Sequence, residues 1–319
     1  MRNKIILVTG DPNSINSEII YKSWRTLNSS VKKKIYIITN FNLLKKQFQK
    51  LKFNINLIKV KNISEYSNKK DLKIIDVKLL FKDPFNVSYK EATKFVINSL
   101  NLAHKLALNK NVAGIINCPI SKKLLITKKI GVTEFLAAKC NIKNNKEVMV
   151  IKNKKLAVCP VTTHIDVKQI NKEINQNKII NKVKTCNSWY IAKFKKKPNI
   201  GILGLNPHNA ELRKNSEEIR IIIPAVRKLK TIGINIKGPL VADTLFMNDY
   251  KKFDIIFGMY HDQIITPFKT LFKFDAINIT VGLKYLRVSP DHGVASELIG
   301  KNKANPMSLV KCIDFINKY

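Results

Sequence analysis

The chain has 319 residues, 45% of them hydrophobic, which suffices for a sizeable core and for two domains or one large one. Its net charge of +36 raises nucleic-acid binding first. Yet only six of the 58 basic residues are arginine (Arg2, Arg25, Arg213, Arg220, Arg227 and Arg287), and nucleic-acid interfaces favour the forked guanidinium. The lysines are spread over every segment, which speaks against a nucleic-acid partner and leaves a positive field suited to anionic, phosphorylated substrates.

No stretch has the apolar length of a membrane span, so no membrane partner is expected. From the N-terminus, Ile5 to Val8 is a short apolar run ending in a Thr-Gly turn, and it reads as a first buried strand rather than a signal peptide. Further strands are expected at Ile35–Thr39, Ile55–Val60, Lys73–Asp76, Val112–Ile116, Leu156–Val158, Ile200–Leu205, Ile255–Gly258 and Ile277–Thr280. Helices are expected at Ile15–Leu27, Ser88–Leu108, Val167–Lys182, Ser216–Lys230 and Ser308–Asn317. Ala92, Phe95, Val96, Ala103 and Leu106 fall on one face of the second of these at helical spacing. Strands alternating with helices imply an α/β fold with a largely parallel sheet. The Lys/Asn-rich stretches 62–70 and 141–146 read as surface loops. Five dispersed cysteines, Cys118, Cys140, Cys159, Cys186 and Cys312, argue against a disulfide framework and for a reducing, cytoplasmic setting.

Three of the five histidines share one placement. His164 in Val-Thr-Thr-His, His208 in Leu-Asn-Pro-His-Asn and His261 in Gly-Met-Tyr-His-Asp-Gln each stand just past an expected strand, where open α/β sheets place their ligand sites. Neutral imidazole is a common ligand of Zn²⁺ and similar ions, and three such ligands leave positions open for a chelating substrate. Any one of them alone reads more simply as a hydrogen-bonding loop residue. Asp262 adjoins His261, and Asp243 lies in Gly-Pro-Leu-Val-Ala-Asp-Thr. Either carboxylate could accept a proton or orient an imidazole, although Asp243 also suits a helix start. Lys122 is a further candidate for the base.

Two loops, Gly10-Asp-Pro-Asn13 and Asn117-Cys-Pro-Ile-Ser-Lys122, follow strands and open helices, so their amides are candidates for holding an anion. Arg287, an arginine in a lysine-rich chain, suggests a bidentate contact to phosphate or carboxylate. No G-x-G-x-x-G occurs, so a Rossmann fingerprint is not present. Cys118 reads as a small buried residue rather than a nucleophile.

Taken together, Gly10-Asp-Pro, Cys118-Pro-Ile-Ser-Lys, Gly131-Val-Thr-Glu-Phe-Leu-Ala, Thr162-Thr-His, Leu205-Asn-Pro-His, Gly238-Pro-Leu-Val-Ala-Asp-Thr, Met259-Tyr-His-Asp-Gln, Asn278-Ile-Thr-Val-Gly-Leu and Asp291-His-Gly resemble the 4-hydroxythreonine-4-phosphate dehydrogenases of pyridoxal phosphate biosynthesis. The resemblance runs through nearly the whole chain. It implies that His164, His208 and His261 bind one divalent metal (Zn, Mg, Mn or Co) shared across a homodimer interface, and that Thr133, Lys269, Asn278 and Arg287 hold a small phosphorylated substrate. The tail from Asp291 to Pro306 is similar to the cofactor loop of isocitrate and isopropylmalate dehydrogenases, which bind NAD or NADP without a Rossmann fingerprint. By that likeness His292, Gly293, Ala295 and Asn305 touch the adenosine half.

The implied architecture is two α/β/α domains around a cleft, residues 1–130 with 290–319 forming the first and 131–289 the second. The implied reaction is oxidation and decarboxylation of 4-phosphohydroxy-L-threonine. The chain has Val132 where the family carries a substrate-contacting His, which leaves a sugar-acid phosphate (4-phospho-threonate or 4-phospho-erythronate) as the alternative substrate. From another class, a non-catalytic phosphate- or nucleic-acid-binding protein is the remaining reading.

Overall fold

The computed structural model describes residues 3–65, 71–128, 131–142, 146–273 and 275–318; residues 66–70 and 143–145, parts of the two expected loops, lie outside them. Two compact units divide the chain, one formed by Met1–Lys139 with Lys284–Tyr319 and the other by Cys140–Leu283. The strands among the described residues are β1 (Lys4–Val8), β2 (Ile35–Thr39), β3 (Leu57–Lys59), β4 (Leu72–Asp76), β5 (Val112–Asn117), β6 (Val148–Lys152), β7 (Ala157–Pro160), β8 (Ile200–Leu203), β9 (Ile236–Leu240), β10 (Ile255–Gly258), β11 (Ile277–Val281) and β12 (Arg287–Pro290).

In the first unit the strand order is β3-β4-β2-β1-β5-β12, and every pairing is parallel. A parallel sheet needs cover on its faces, so its central strands are mostly apolar. Ile35–Thr39 and Val112–Asn117 are accordingly buried at every position. Helices Tyr89–Ala107 and Met307–Asn317 both pack against β1 and β5. The first buries the apolar stripe Ala92, Phe95, Val96, Leu100 and Ala103. Burying each such large side chain contributes roughly 1.5–3 kcal/mol before entropy is counted.

In the second unit the order is β11-β6-β7-β10-β8-β9. Strands β7, β10, β8 and β9 run parallel, while β6 is antiparallel to both β7 and β11. Val158, Leu203, Ile256, Ile264, Ile265 and Phe268 form the centre of a buried cluster that sets helix His261–Phe272 against this sheet. The fold is therefore α/β and largely parallel.

The structure differs from the sequence reading in several places. The sequence reading has no strand at β6, β9 (whose Gly238-Pro-Leu240 reads as a loop) or β12, and no helix at Phe41–Lys50, Val132–Lys139 or His261–Phe272. The helix expected over Val167–Lys182 is interrupted. A single turn, Ile170–Glu173, ends before Asn175, whose extended backbone and side-chain oxygen, accepting from Lys178 N, cap a longer helix, Gln176–Phe194. The expected helix from Ser216 begins as a π-helical turn, Glu218–Ile222, before Ile223–Thr231.

Candidate active site

The three histidine-bearing loops leave neighbouring strands. Because β10 lies between β7 and β8 and is parallel to both, the loops that follow all three emerge at the same end of the sheet. His164 follows β7, His261 follows β10 and His208 follows β8. Open α/β sheets bind ligands at this end.

His164 and His261 form a pair, with ring centroids 5.9 Å apart and planes inclined by 37°. His261 is the first residue of its helix, and its Nδ1 lies 2.7 Å from Asp262 Oδ1. A carboxylate on Nδ1 fixes the ring and leaves Nε2 as the outward donor atom, the arrangement usual for a metal-bound imidazole. His208 sits with its side chain 68% exposed, Nε2 3.6 Å from Asp243 Oδ2 and Nδ1 3.8 Å from Glu211 Oε1. Among the described residues no group of three or more His, Cys, Asp and Glu side chains gathers in metal-binding geometry. The chain instead presents two pairs, His164 with His261 and His208 with Asp243. As a donor set, neutral imidazoles backed by carboxylates suit a Zn²⁺-like ion.

His208 occupies unusual backbone. Residues 208 to 212 all have φ between 49° and 59°, in the left-handed region, and none is glycine. Each such residue costs roughly 1–2 kcal/mol, so the turn persists only because its surroundings hold it. Glu218, wholly buried, does much of this. Its Oε1 accepts from the backbone N–H of Leu205 and of Asn206, each at 2.8 Å, and its Oε2 accepts from Asn206 Nδ2 at 3.0 Å. Burial alone would raise the pKa of this carboxyl; the hydrogen bonds to its anion outweigh that and bring it below the usual range. Asn209 adds a bond to Pro239 O at 3.2 Å. Gly204 leaves room for Asn209, because a Cβ there would stand 2.0 Å from Asn209 Oδ1.

Neighbouring loops are tied laterally. Thr162 donates to Met259 O through both its backbone N–H (3.0 Å) and its hydroxyl (2.7 Å). Gln263 Oε1 accepts from Met259 N–H at 2.6 Å, and its Nε2 donates to Gly204 O at 2.7 Å. In the sequence Thr162 and Gln263 stand within motifs that give them no role, and nothing marks Glu218.

Of the remaining candidates in this unit, Lys269 is half-buried on the helix that His261 begins. Asn278 is the second residue of β11, half-buried, with an Oδ1 that is buried and has no hydrogen-bond partner. Such an orphaned acceptor costs stability unless a ligand or water serves it.

In the first unit, Lys122 is exposed at the start of a 3₁₀ turn, and Thr133 is half-buried in helix Val132–Lys139. Arg287 is buried on β12, where its Nε donates to Asn117 Oδ1 at 2.6 Å. Burial lowers its pKa to about 10, with Cys312 and Glu134 opposing that shift. The two loops expected to offer amides to an anion use them internally. Asp11 accepts from Asn13 N–H at 2.9 Å and from Ser121 N–H at 3.2 Å, so its own carboxylate fills the place of the anion. Cys118 is fully buried and its thiol is pushed well up by burial, in keeping with a packing role.

The tail expected to hold the cofactor is anchored by a pair that sequence reasoning missed. Glu18, buried, accepts from Ala304 N–H at 2.5 Å and pairs with Lys22 at 2.7 Å. Lys22 in turn donates to the carbonyls of Asn302 and Ala304, each at 3.0 Å. The i,i+4 spacing of Glu18 and Lys22 was the available signal, and it reads equally well as a surface pair. Within the tail, His292 Nδ1 lies 3.0 Å from Gly293 O, while its Nε2 is buried without a partner. A Cβ on Gly293 would meet open space, and Ala295 has a φ of 48°. Asn305 Oδ1 accepts from Met307 N–H at 2.9 Å, a turn just ahead of the last helix.

Comparison with known proteins adds relatives to this geometry. The family model described as pyridoxal phosphate biosynthetic protein PdxA matches residues 30–316. A protein of Sulfurihydrogenibium sp. named 4-hydroxythreonine-4-phosphate dehydrogenase is 39% identical, over 98% of this chain and 96% of its own length. A protein of Oceanobacillus iheyensis provisionally named a D-threonate 4-phosphate dehydrogenase is 32% identical, over 98% of this chain and 96% of its own. Among solved structures, the 4-hydroxythreonine-4-phosphate dehydrogenase of Klebsiella pneumoniae superposes with a TM-score of 0.84 at 29% identity, covering 98% of each chain. The isocitrate dehydrogenase of Methylococcus capsulatus, at 10% identity, shares the fold alone, with a TM-score of 0.50 over 98% of this chain and 84% of its own.

Proposed function

This chain belongs to the pyridoxal phosphate biosynthetic protein PdxA family, and from that membership we propose that it oxidises and decarboxylates 4-phosphohydroxy-L-threonine with NAD or NADP. The observation that carries the reading is the convergence of three histidine loops at one end of neighbouring strands, with two imidazoles 5.9 Å apart. In this reading the secondary alcohol loses its proton to a base and its hydride to the nicotinamide, giving a β-keto acid. Loss of CO₂ then leaves 3-amino-2-oxopropyl phosphate. His164, His208 and His261 hold a divalent cation, in a homodimer that contributes residues from both subunits. When bound, such a cation acidifies the alcohol and polarises the new carbonyl as CO₂ departs.

The protein's own groups have separable duties. Asp262 orients His261 through Nδ1. Proton acceptance falls to Asp243 or Lys122, and comparing Asp243→Asn with Lys122→Met decides between them. Thr133, Lys269, Asn278 and Arg287 hold the anionic substrate, the orphaned oxygen of Asn278 accepting from its amine or a hydroxyl. His292, Gly293, Ala295 and Asn305 line the cofactor's adenosine half. None of the five cysteines is in a disulfide and all are buried, as suits a cytoplasmic enzyme.

A second reading is favoured by Val132, which replaces the family histidine, and by the likeness to the Oceanobacillus protein. There the substrate is 4-phospho-threonate, which keeps the phosphate and alcohol but lacks the amine. The test is NAD(P)H formation by the purified enzyme with each substrate. Turnover confined to the sugar-acid phosphate overturns the first reading, and turnover of neither overturns both.

A further inference from the structure

Helix Gln176–Phe194 buries a stripe of residues at helical spacing, Ile179, Lys182, Val183, Cys186, Trp189 and Tyr190. It packs against β6 and β11 of the second sheet. Cys159, the third residue of β7, meets the helix here, and its sulfur lies 3.7 Å from that of Cys186. Both side chains are fully buried. Packing would account for either cysteine by itself, since free Cys is among the most buried residue types. Contact between two sulfurs 27 positions apart adds chemistry that no other pair of small apolar side chains has.

Closing a bond between them asks each sulfur to move by about 1 Å, within reach of a small rotation about Cα–Cβ. Lys182, one turn before Cys186, is itself buried, and its Nζ donates to Glu147 O at 2.7 Å. Burial pushes the Cys159 thiol well up, and the Lys182 charge opposes that push, so the reactive thiolate is less disfavoured than in a purely apolar core. The same helix carries two costs, a buried ammonium and a Trp189 Nε1–H that is buried without an acceptor. A segment holding such costs opens locally at less free energy than the whole unit, and its opening brings both thiols to solvent.

We propose that Cys159 and Cys186 form a redox site, a dithiol that closes to a disulfide when small disulfides accumulate and reopens when small thiols replace them. The thiolate of one cysteine attacks the small disulfide, forming a mixed disulfide and releasing one small thiolate. The other cysteine, as thiolate, attacks the protein sulfur of that mixed disulfide and releases the second. Two electrons pass from the pair to the small disulfide, whose two thiolates take up the protons that the cysteines lose. In a reducing compartment the pair stays open, as it stands here. Once closed, the bond ties the helix to β7, the strand that leads to Thr162 and His164, and it constrains the unfolded chain. The site is independent of any metal or substrate at the histidine loops.

The experiment incubates the purified full chain, without denaturant, with 2-hydroxyethyl disulfide. The chain is then unfolded in iodoacetamide and digested without reductant for mass spectrometry. The expected result is one cross-linked species, the Cys159 peptide joined to the Cys186 peptide, with Cys118, Cys140 and Cys312 alkylated. Dithiothreitol should abolish the link, and the oxidised chain should melt about 3–10 °C above the reduced one. Cys186→Ala should show neither the link nor the rise. Alkylation of all five cysteines after prolonged incubation would overturn the proposal. So would a small thiol held on either cysteine without the link, or links scattered among the five. Should Cys186→Ala fail to fold, oxidised and reduced wild type carry the comparison unaided.

Discussion

The histidine loops of the second unit and the Arg287 corner of the first use polar residues in opposite ways. His208 and His164 are exposed, and the polar groups around them are spent on holding loops. Arg287 is buried, and its Nε is engaged by Asn117 at the end of the adjoining strand. Burying a charge is costly unless its donors are met, so Arg287 is knit into the sheet as well as being a candidate ligand. An exposed imidazole at a strand end carries little such obligation. Loss of a histidine should therefore cost chemistry, while loss of the arginine should cost stability before any loss of chemistry can be read.

The largest effect tests the first half of that contrast. His208→Ala should lower turnover by about 10³-fold or more, since metal polarisation is worth several kcal/mol in the transition state. Its melting temperature should stay near wild type, because the side chain is 68% exposed and no core is emptied. Steady-state rates beside a thermal melt decide the matter, and a near-normal rate removes His208 from the site.

Arg287→Ala tests the other half. It leaves Asn117 Oδ1 without its buried donor and opens a void, so unfolding free energy should drop by about 2–4 kcal/mol in a urea titration. A loss below about 1 kcal/mol would show that the guanidinium is not knit in. Glu18→Ala, next in size, should cost about 1.5–3 kcal/mol and raise the KM for the nicotinamide more than it lowers kcat, since Ala304 and Lys22 lose their anchor. An unchanged cofactor KM would separate this anchor from the cofactor.

These contrasts also mark what could be read from the sequence. The parallel core announced itself in apolar runs such as Val112–Asn117 and Ile255–Gly258, because strands buried on both faces show no alternation to disguise them. Strand β12 escaped notice since it is four residues long and begins with a charged Arg287, whose burial depends on an Asn 170 positions away. The break before Asn175 was legible in principle as a helix cap, yet the helical pattern runs through it. The histidines stood out because they are few and follow strands. Glu218, Gln263 and Glu18 did not, because each acts through backbone groups distant in sequence, and a Glu or Gln on a helix looks the same whether it faces water or a loop.

The smallest predicted effect concerns Val132, the point at which this chain departs from its family. It begins helix Val132–Lys139 beside Thr133 and is half-buried. Valine offers no donor or acceptor, so whatever polar group of the substrate a histidine would meet is left to water or to another residue. Val132→His should shift the ratio of kcat/KM for 4-phosphohydroxy-L-threonine over 4-phospho-threonate by about tenfold, the worth of one ordinary hydrogen bond of about 1.4 kcal/mol. The direction is informative in itself. A shift toward the amino substrate would mark Val132 as an adaptation to the sugar acid. A ratio unmoved by the change would place specificity elsewhere, and Asn278, with its unserved buried oxygen, is the residue to vary in its stead.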